Sequence, residues 1–293
     1  MRLVLDRAAK ASMPVLAGFP AFVVFLIFTG LWLKSKGILA SHSPVHLLFS
    51  SAWHPLKGEF GFLPFIAGTA WVTAVALVLA VPVSIMAAVY LSEYAPGRLV
   101  RLTAPVIDLL AGLPSVIYGL WGVLLVVPAV SRLAGGFGLA SSGYSVLAGG
   151  VVLAVMILPT ILSITLEVLA SVPRPLREAS LSLGATKWET VRHVVFRKAG
   201  GGIVAAVALG FSRAVGETMA VLMVAGNVAA VPKSVFDPAY PLPALIANNY
   251  GEMMSVPQYE AALMFAACLL MAVVLVFNAG ARRILVRLER KGA

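Results

Sequence analysis

Residues 146–170 read VLAGGVVLAVMILPTILSITLEVLA, an apolar run interrupted by one ionisable side chain, Glu167. At about 1.5 Å per residue a helix over this run exceeds the ~30 Å hydrocarbon core of a bilayer. Five further runs of this kind flank it, near residues 13–33, 63–91, 102–130, 200–225 and 259–281. The pattern predicts an all-α integral membrane protein with six transmembrane helices. The composition agrees: 60% of the 293 residues are hydrophobic and 12% charged, the latter about half the fraction usual in soluble domains. Mean hydropathy is +0.97. Pro82, Pro114 and Pro159 fall inside spans two, three and four, where a missing backbone donor predicts kinks.

The first run follows Arg2, Arg7 and Lys10, the flank of a secretory signal as well as of an anchor. Met13 to Leu33 outruns the apolar core of a signal peptide, about 15 residues at most, so the segment is read as a retained helix.

Basic residues accumulate in short cytoplasmic loops, which allows orientation to be counted. With the N-terminus inside, the inner segments hold Arg2, Arg7, Lys10, Arg98, Arg101, Arg174, Arg177, Lys187, Arg192, Arg197, Lys198, Arg282, Arg283, Arg287, Arg290 and Lys291. The outer segments hold only Lys34, Lys36, Lys57, Arg132 and Lys233, and Arg213 lies within a span. Both termini are therefore expected in the cytoplasm. The expected organisation is a cytoplasmic tail over 1–12, one membrane domain over 13–281 with an outer loop at 34–62 and an inner loop at 171–199, and a basic cytoplasmic tail over 282–293. The net charge of +10 is then topology and contact with anionic lipid, and no nucleic-acid partner is called for. A single cysteine, Cys268 within an apolar run, excludes a disulfide framework and a CxxC site.

Three segments carry more than hydropathy. Residues 171–200 read SVPRPLREASLSLGATKWETVRHVVFRKAG. Pro173 and Pro175 mark a helix start, a helix runs through Leu176 to Leu183, Gly184 supplies a left-handed cap, and Thr186 caps a second helix toward His193. A short helix held off the membrane suits docking, although a solvated basic loop has the same composition. Residues 208–227, ALGFSRAVGETMAVLMVAGN, place Arg213 inside a span, where an unpaired charge costs at least ~2.5–3.5 kcal/mol. On a continuous helix Glu217 lies about 40° around from Arg213, sharing a face with Ala220 and Asn227. Such a face is either a packing ion pair or a polar seam along a path for an anion. In DLLAGLPSVIYGLWG, residues 108–122, an ideal helix brings Asp108, Gly112, Ser115, Gly119 and Gly122 onto one line, a stripe suited to close helix approach.

The string REASLSLGA, with Glu178, Ala179 and Gly184, resembles the EAA motif of the binding-protein-dependent ABC importer permeases. In that family it forms the coupling helix that fits a groove on the ATPase. Ser180 replaces the second alanine, and Val194, Phe196 and Arg197 stand where the family has isoleucine and a Leu-Pro pair. The strings FGFLPFIAGT, LLAGLPSVIYGLWG, MILPTILSITLEVL, VPRPLREASLSLGATKWE and SRAVGETMAVLMVAGN resemble the phosphate permeases of the PstC type over roughly residues 60–280. The resemblance implies the type I ABC importer permease fold and import of inorganic phosphate by alternating access. It also implies a heterodimer with a second, homologous permease, two ATP-binding cassette subunits, a periplasmic or extracellular phosphate-binding protein and a bacterial inner-membrane location. Arg213, Glu217 and Asn227 are the expected pathway residues.

No GxxxxGK[ST] string occurs, so the chain lacks a phosphate-cradling loop; it is expected to bind no cofactor itself, with ATP used by a partner subunit. His42 and His46 lack a third metal ligand and straddle Pro44. Gly200, Gly201 and Gly202 suit close packing at the start of span five, and Trp53, Trp71, Tyr94, Tyr118 and Trp121 suit interfacial anchoring. An ion-coupled transporter also places charges in spans but has no use for the EAA-like loop. A sulfate or molybdate permease is the nearest alternative on the anion side, and a scaffold without transport activity is the remaining class.

Overall fold

The computed structural model describes residues 2–251 and 256–292. Six of its helical segments are long and apolar enough to cross a bilayer: Leu16–Ser41, Leu63–Tyr94, Ser115–Gly136, Val146–Ala170, Lys187–Gly216 and Pro257–Ile284. The described residues form no strand beyond two isolated bridges, as an all-α membrane bundle requires.

The helices in chain order are α1 (Arg2–Ser41), α2 (Pro44–Phe49), α3 (Leu63–Val89), α4 (Gly97–Gly112), α5 (Ser115–Trp121), α6 (Val127–Gly136) and α7 (Val146–Ala170). They continue with α8 (Arg174–Ser182), α9 (Lys187–Thr190), α10 (Phe196–Gly216), α11 (Met219–Val224), α12 (Leu242–Asn249) and α13 (Pro257–Gly292). Wide π turns at Tyr90–Tyr94, Gly122–Val126 and Val191–Val195 extend α3, join α5 to α6 and join α9 to α10. α1 runs on to Ser41, past the expected end at 33, and carries Lys34 and Lys36 on the helix. α13 likewise continues through the basic segment.

Two expected spans are interrupted. Span three was expected as one helix over 102–130, but α4 stops at Gly112 and α5 starts at Ser115, with Leu113 and Pro114 both extended. The hydroxyl of Tyr118 donates to the carbonyl of Leu110 at 2.5 Å, satisfying an acceptor near the end of α4. The membrane-length helix therefore begins at Ser115, while α4 buries none of its side chains. By contrast α3 and α7 continue through Pro82 and Pro159 without interruption. Span five breaks between α10 and α11, with the consequences described below.

α3 lies along α7, α10 packs on α7 and α13, and α1 pairs with α13. Lipid tails are as apolar as leucine, so these contacts are held by van der Waals fit rather than by exclusion of water. The fit is close: Cβ atoms built at Gly150 and Gly202 would lie 2.4 Å from methyls of Val75 and Val168. The stripe expected in span three survives only in part. Gly119 faces Ala220 and Met223, and Gly122 faces Val152 and Val224, whereas Gly112 touches nothing and Asp108 is exposed.

At the end carrying residues 42–62, α2, a 3₁₀ turn at Pro55–Lys57 and α12 cap the bundle. They enclose Leu47, Phe60, Phe62, Phe65, Leu245 and Leu263, all fully buried. Trp53, an expected interfacial anchor, instead lies among these rings, 4.7 Å from Phe65 and 5.5 Å from Phe62 between centroids. Tyr118 is also buried, through its bond across the break.

Candidate functional site

At the opposite end the segment after α7 folds as its local signals dictate. Pro173 is the N-cap of α8, Gly184 adopts φ +85°, and Thr186 forms a reciprocal capping box with Glu189. In that box the Thr186 amide donates to Glu189 Oε2 at 2.7 Å, and the Glu189 amide donates to Thr186 Oγ1 at 3.3 Å. Glu178 and Ala179 are exposed on α8, and a Cβ at Gly184 would meet no atom within 4 Å. Leu176, Leu181, Leu183 and Trp188 are also exposed, Leu183 to 89%, beside Arg174 and Lys187. This apolar and basic knob, exposed to solvent over much of its surface, has the character of a protein contact.

Arg213 and Glu217 do not share a helix face. α10 ends at Gly216, and Glu217 follows in extended backbone with φ −71° and ψ 127°. Arg213, in the last turn of α10, donates from Nη1 to Thr160 Oγ1 of α7 at 2.8 Å. Glu217 Oε1 accepts from the amide of Ala220 at 3.2 Å, at the start of α11. Each charge thus sits at the helix end whose dipole it complements, the cation at a C-terminus and the carboxylate at an N-terminus. Among the described residues no ion pair joins them. Both are half-buried, and Glu217 faces a small recess with Thr69, Thr73 and Pro241.

Asn227 lies beyond α11 and holds φ 52°, a conformation that asparagine tolerates better than most residues. Its amide group donates to Leu222 O at 2.8 Å and its backbone N–H to Ala239 O at 3.0 Å, while its side-chain oxygen is buried without a partner. With Ser142, Tyr144 and Pro238 it lines an open cavity of about 360 Å³. The three expected pathway residues therefore occupy a broken membrane helix and the turn after it, rather than one continuous seam. Sequence reasoning missed Thr160, for which the only signal was a hydroxyl directly after Pro159 inside an apolar run.

A family model described as "Binding-protein-dependent transport system inner membrane component" matches residues 80–291. The chain belongs to this family. Among relatives of these permeases, a protein named "Probable ABC transporter permease protein YqgH" of Bacillus subtilis is 41% identical, covering 79% of this chain and 74% of that one. A "Phosphate transport system permease protein PstC" of Xylella fastidiosa is 37% identical over 84% of this chain and 80% of its own length. A PstC of Mesorhizobium japonicum is 35% identical over 98% and 90%. The resemblance to PstC-type permeases holds across most of the chain. A chain of the bacterial alginate ABC transporter, solved with an alginate pentasaccharide-bound periplasmic protein, superposes with a TM-score of 0.62 at 16% identity, covering 97% of this chain and 99% of that one. A chain of the inward-facing MetNI methionine ABC transporter gives 0.58 at 20% identity, covering 81% and 99%. The fold is that of the type I ABC importer permeases, and the chain is an ABC importer permease in the membrane.

Proposed function

We propose that this permease is the membrane-spanning subunit through which an ATP-driven importer carries inorganic phosphate into a bacterial cytoplasm by alternating access. The observation that carries the reading is Arg213. It is a guanidinium in a membrane-length helix with, among the described residues, one hydroxyl partner and no carboxylate, which leaves donors for a passing anion. The names of its PstC relatives support phosphate as that anion.

The remaining parts follow from the same reading. A second, homologous permease completes the path, and a phosphate-binding protein outside the membrane delivers the anion. Two ATP-binding cassette subunits bind and hydrolyse the ATP. They dock on the exposed knob of α8, with Glu178, Ala179 and Gly184 in the coupling loop at 171–199. Both termini are cytoplasmic, residues 13–281 make up the permease domain, and residues 1–12 and 282–293 are tails at the inner surface. Arg213 meets the anion transiently, Glu217 limits the local positive potential, and Asn227 marks the outer end of the path.

The test is ATP hydrolysis by the reconstituted complex with its binding protein. Stimulation by phosphate and not by sulfate or molybdate supports the proposal; stimulation only by another oxyanion refutes the choice of substrate.

A further inference from the structure

α8 is a helix without a core. None of its residues is buried, so apolar packing does not hold it to the bundle. Arg177 and Ser180, three positions apart on one face, are its most covered residues. Ser180 Oγ lies 2.9 Å from Thr190 Oγ1, a tie to α9. Arg177 does more.

Its guanidinium bonds to three residues at the ends of two membrane helices. Nη2 donates to Glu93 Oε1 at 2.8 Å and Nε to Glu93 Oε2 at 3.3 Å, a two-armed pair with the π turn that ends α3. Nη2 also donates to the carbonyl of Leu169 at 2.8 Å, in the last turn of α7, and Nη1 to the carbonyl of Val172. These carbonyls belong to a helix end and its exit, where acceptors lack partners within the helix. The pair is largely shielded, with side-chain exposures of 18% for Arg177 and 9% for Glu93. A second contact reaches the same turn, as Lys187 Nζ sits 4.8 Å above the ring of Tyr94.

We infer that Arg177 is a positioning residue that ties α8 to the end of α3 through Glu93 and to the end of α7 through the Leu169 carbonyl, so that a displacement of α8 moves both membrane helices with it. A planar fork with bonds in fixed directions transmits such a displacement, which a flexible apolar contact does not. Glu178, the motif carboxylate beside Arg177, points outward and remains free for the partner surface.

The inference rests on the ATP-driven import proposed above, and the wild-type complex separates the two: hydrolysis without uptake in wild type overturns that proposal itself. In the full reconstituted complex, Arg177→Gln and Glu93→Gln are expected to lower phosphate imported per ATP hydrolysed about tenfold. A merely structural pair would change yield or melting temperature but not this ratio. Glu93→Cys with Arg177→Cys, in a Cys268→Ala background, is expected to be uncoupled as well, and to regain coupling once a short bis-maleimide bridges the two thiols. This variant also decides the matter if the glutamine variants fail to assemble. A wild-type ratio in an assembled single variant, or a bridged variant that stays uncoupled, overturns the inference.

Discussion

Arg213→Gln, Glu217→Gln and their combination should act on folding as weakly coupled changes, because the two side chains bond to different elements and interact only through space. For Arg213→Gln two terms oppose. The charge-assisted bond to Thr160, about 1.5–3 kcal/mol, becomes a neutral one of about 0.5–1.5 kcal/mol. Against this, a cation leaves a membrane-length helix, which relieves up to ~2.5–3.5 kcal/mol on insertion scales and less for a group already half covered by protein. The net change should stay within about 2 kcal/mol, so the complex assembles. Glu217→Gln keeps an acceptor for the Ala220 amide and loses only the interaction of its charge with the helix end, about 0.3–1 kcal/mol. The interaction energy in the double-mutant cycle should then be below ~0.5 kcal/mol. Denaturation of the purified permease pair supplies the cycle, and uptake of labelled phosphate into vesicles, normalised to assembled complex, supplies the function. Arg213→Gln should assemble and lose uptake, while Glu217→Gln should slow release or alter anion preference. An interaction energy above ~1 kcal/mol would show a direct pair. Wild-type uptake by Arg213→Leu with Glu217→Leu would sink the pathway role.

Gly184→Val should uncouple hydrolysis from uptake while the protein still inserts. No atom obstructs a side chain there, so the penalty is that of the left-handed backbone, about 1–2 kcal/mol and more for a β-branched residue; Gly184→Asn should remain coupled, and normal coupling in the valine variant would contradict the role. Gly202→Ala should destabilise by about 1–3 kcal/mol because its Cβ meets Val168 at 2.4 Å. Its neighbour Gly201→Ala, with nothing within 4 Å, should stabilise by up to ~1 kcal/mol; thermal denaturation in detergent compares the two. Cysteines at positions 2 and 291 should resist a membrane-impermeant label applied from outside and one at position 57 should react, whereas outside labelling of either terminus would invert the topology.

The six spans were legible because lipid leaves the chain little choice: a run such as 146–170 must satisfy its backbone groups within itself, and length and composition then define a helix. The α8 loop was legible for another local reason. Pro173, Gly184 and Thr186 act within a few residues of their own positions, and each forms the start or stop expected of it, while Glu189 adds a capping box that was not expected. The family could be seen in the same strings.

Tertiary structure decided where the apolar runs break. Pro82, Pro114 and Pro159 carry the same local signal, yet only the segment at Pro114 interrupts its helix, where Tyr118 folds back onto Leu110. Arg213 and Glu217 have the spacing of a helical pair, and the helix ends between them, where Glu217 caps the next one and Thr160 of α7 takes the guanidinium. Arg177 looked like one more topological charge until Glu93, far away in the chain, was found beside it. In each case the sequence determined that a polar group or a helix-breaking residue had to be accommodated, because neither hydrocarbon around a span nor a covered site such as that of Arg177 leaves such a group without a partner. Which partner it found depended on what the packed bundle brought within about 3 Å, a distance that hydrogen bonding requires and that spacing along the chain does not encode.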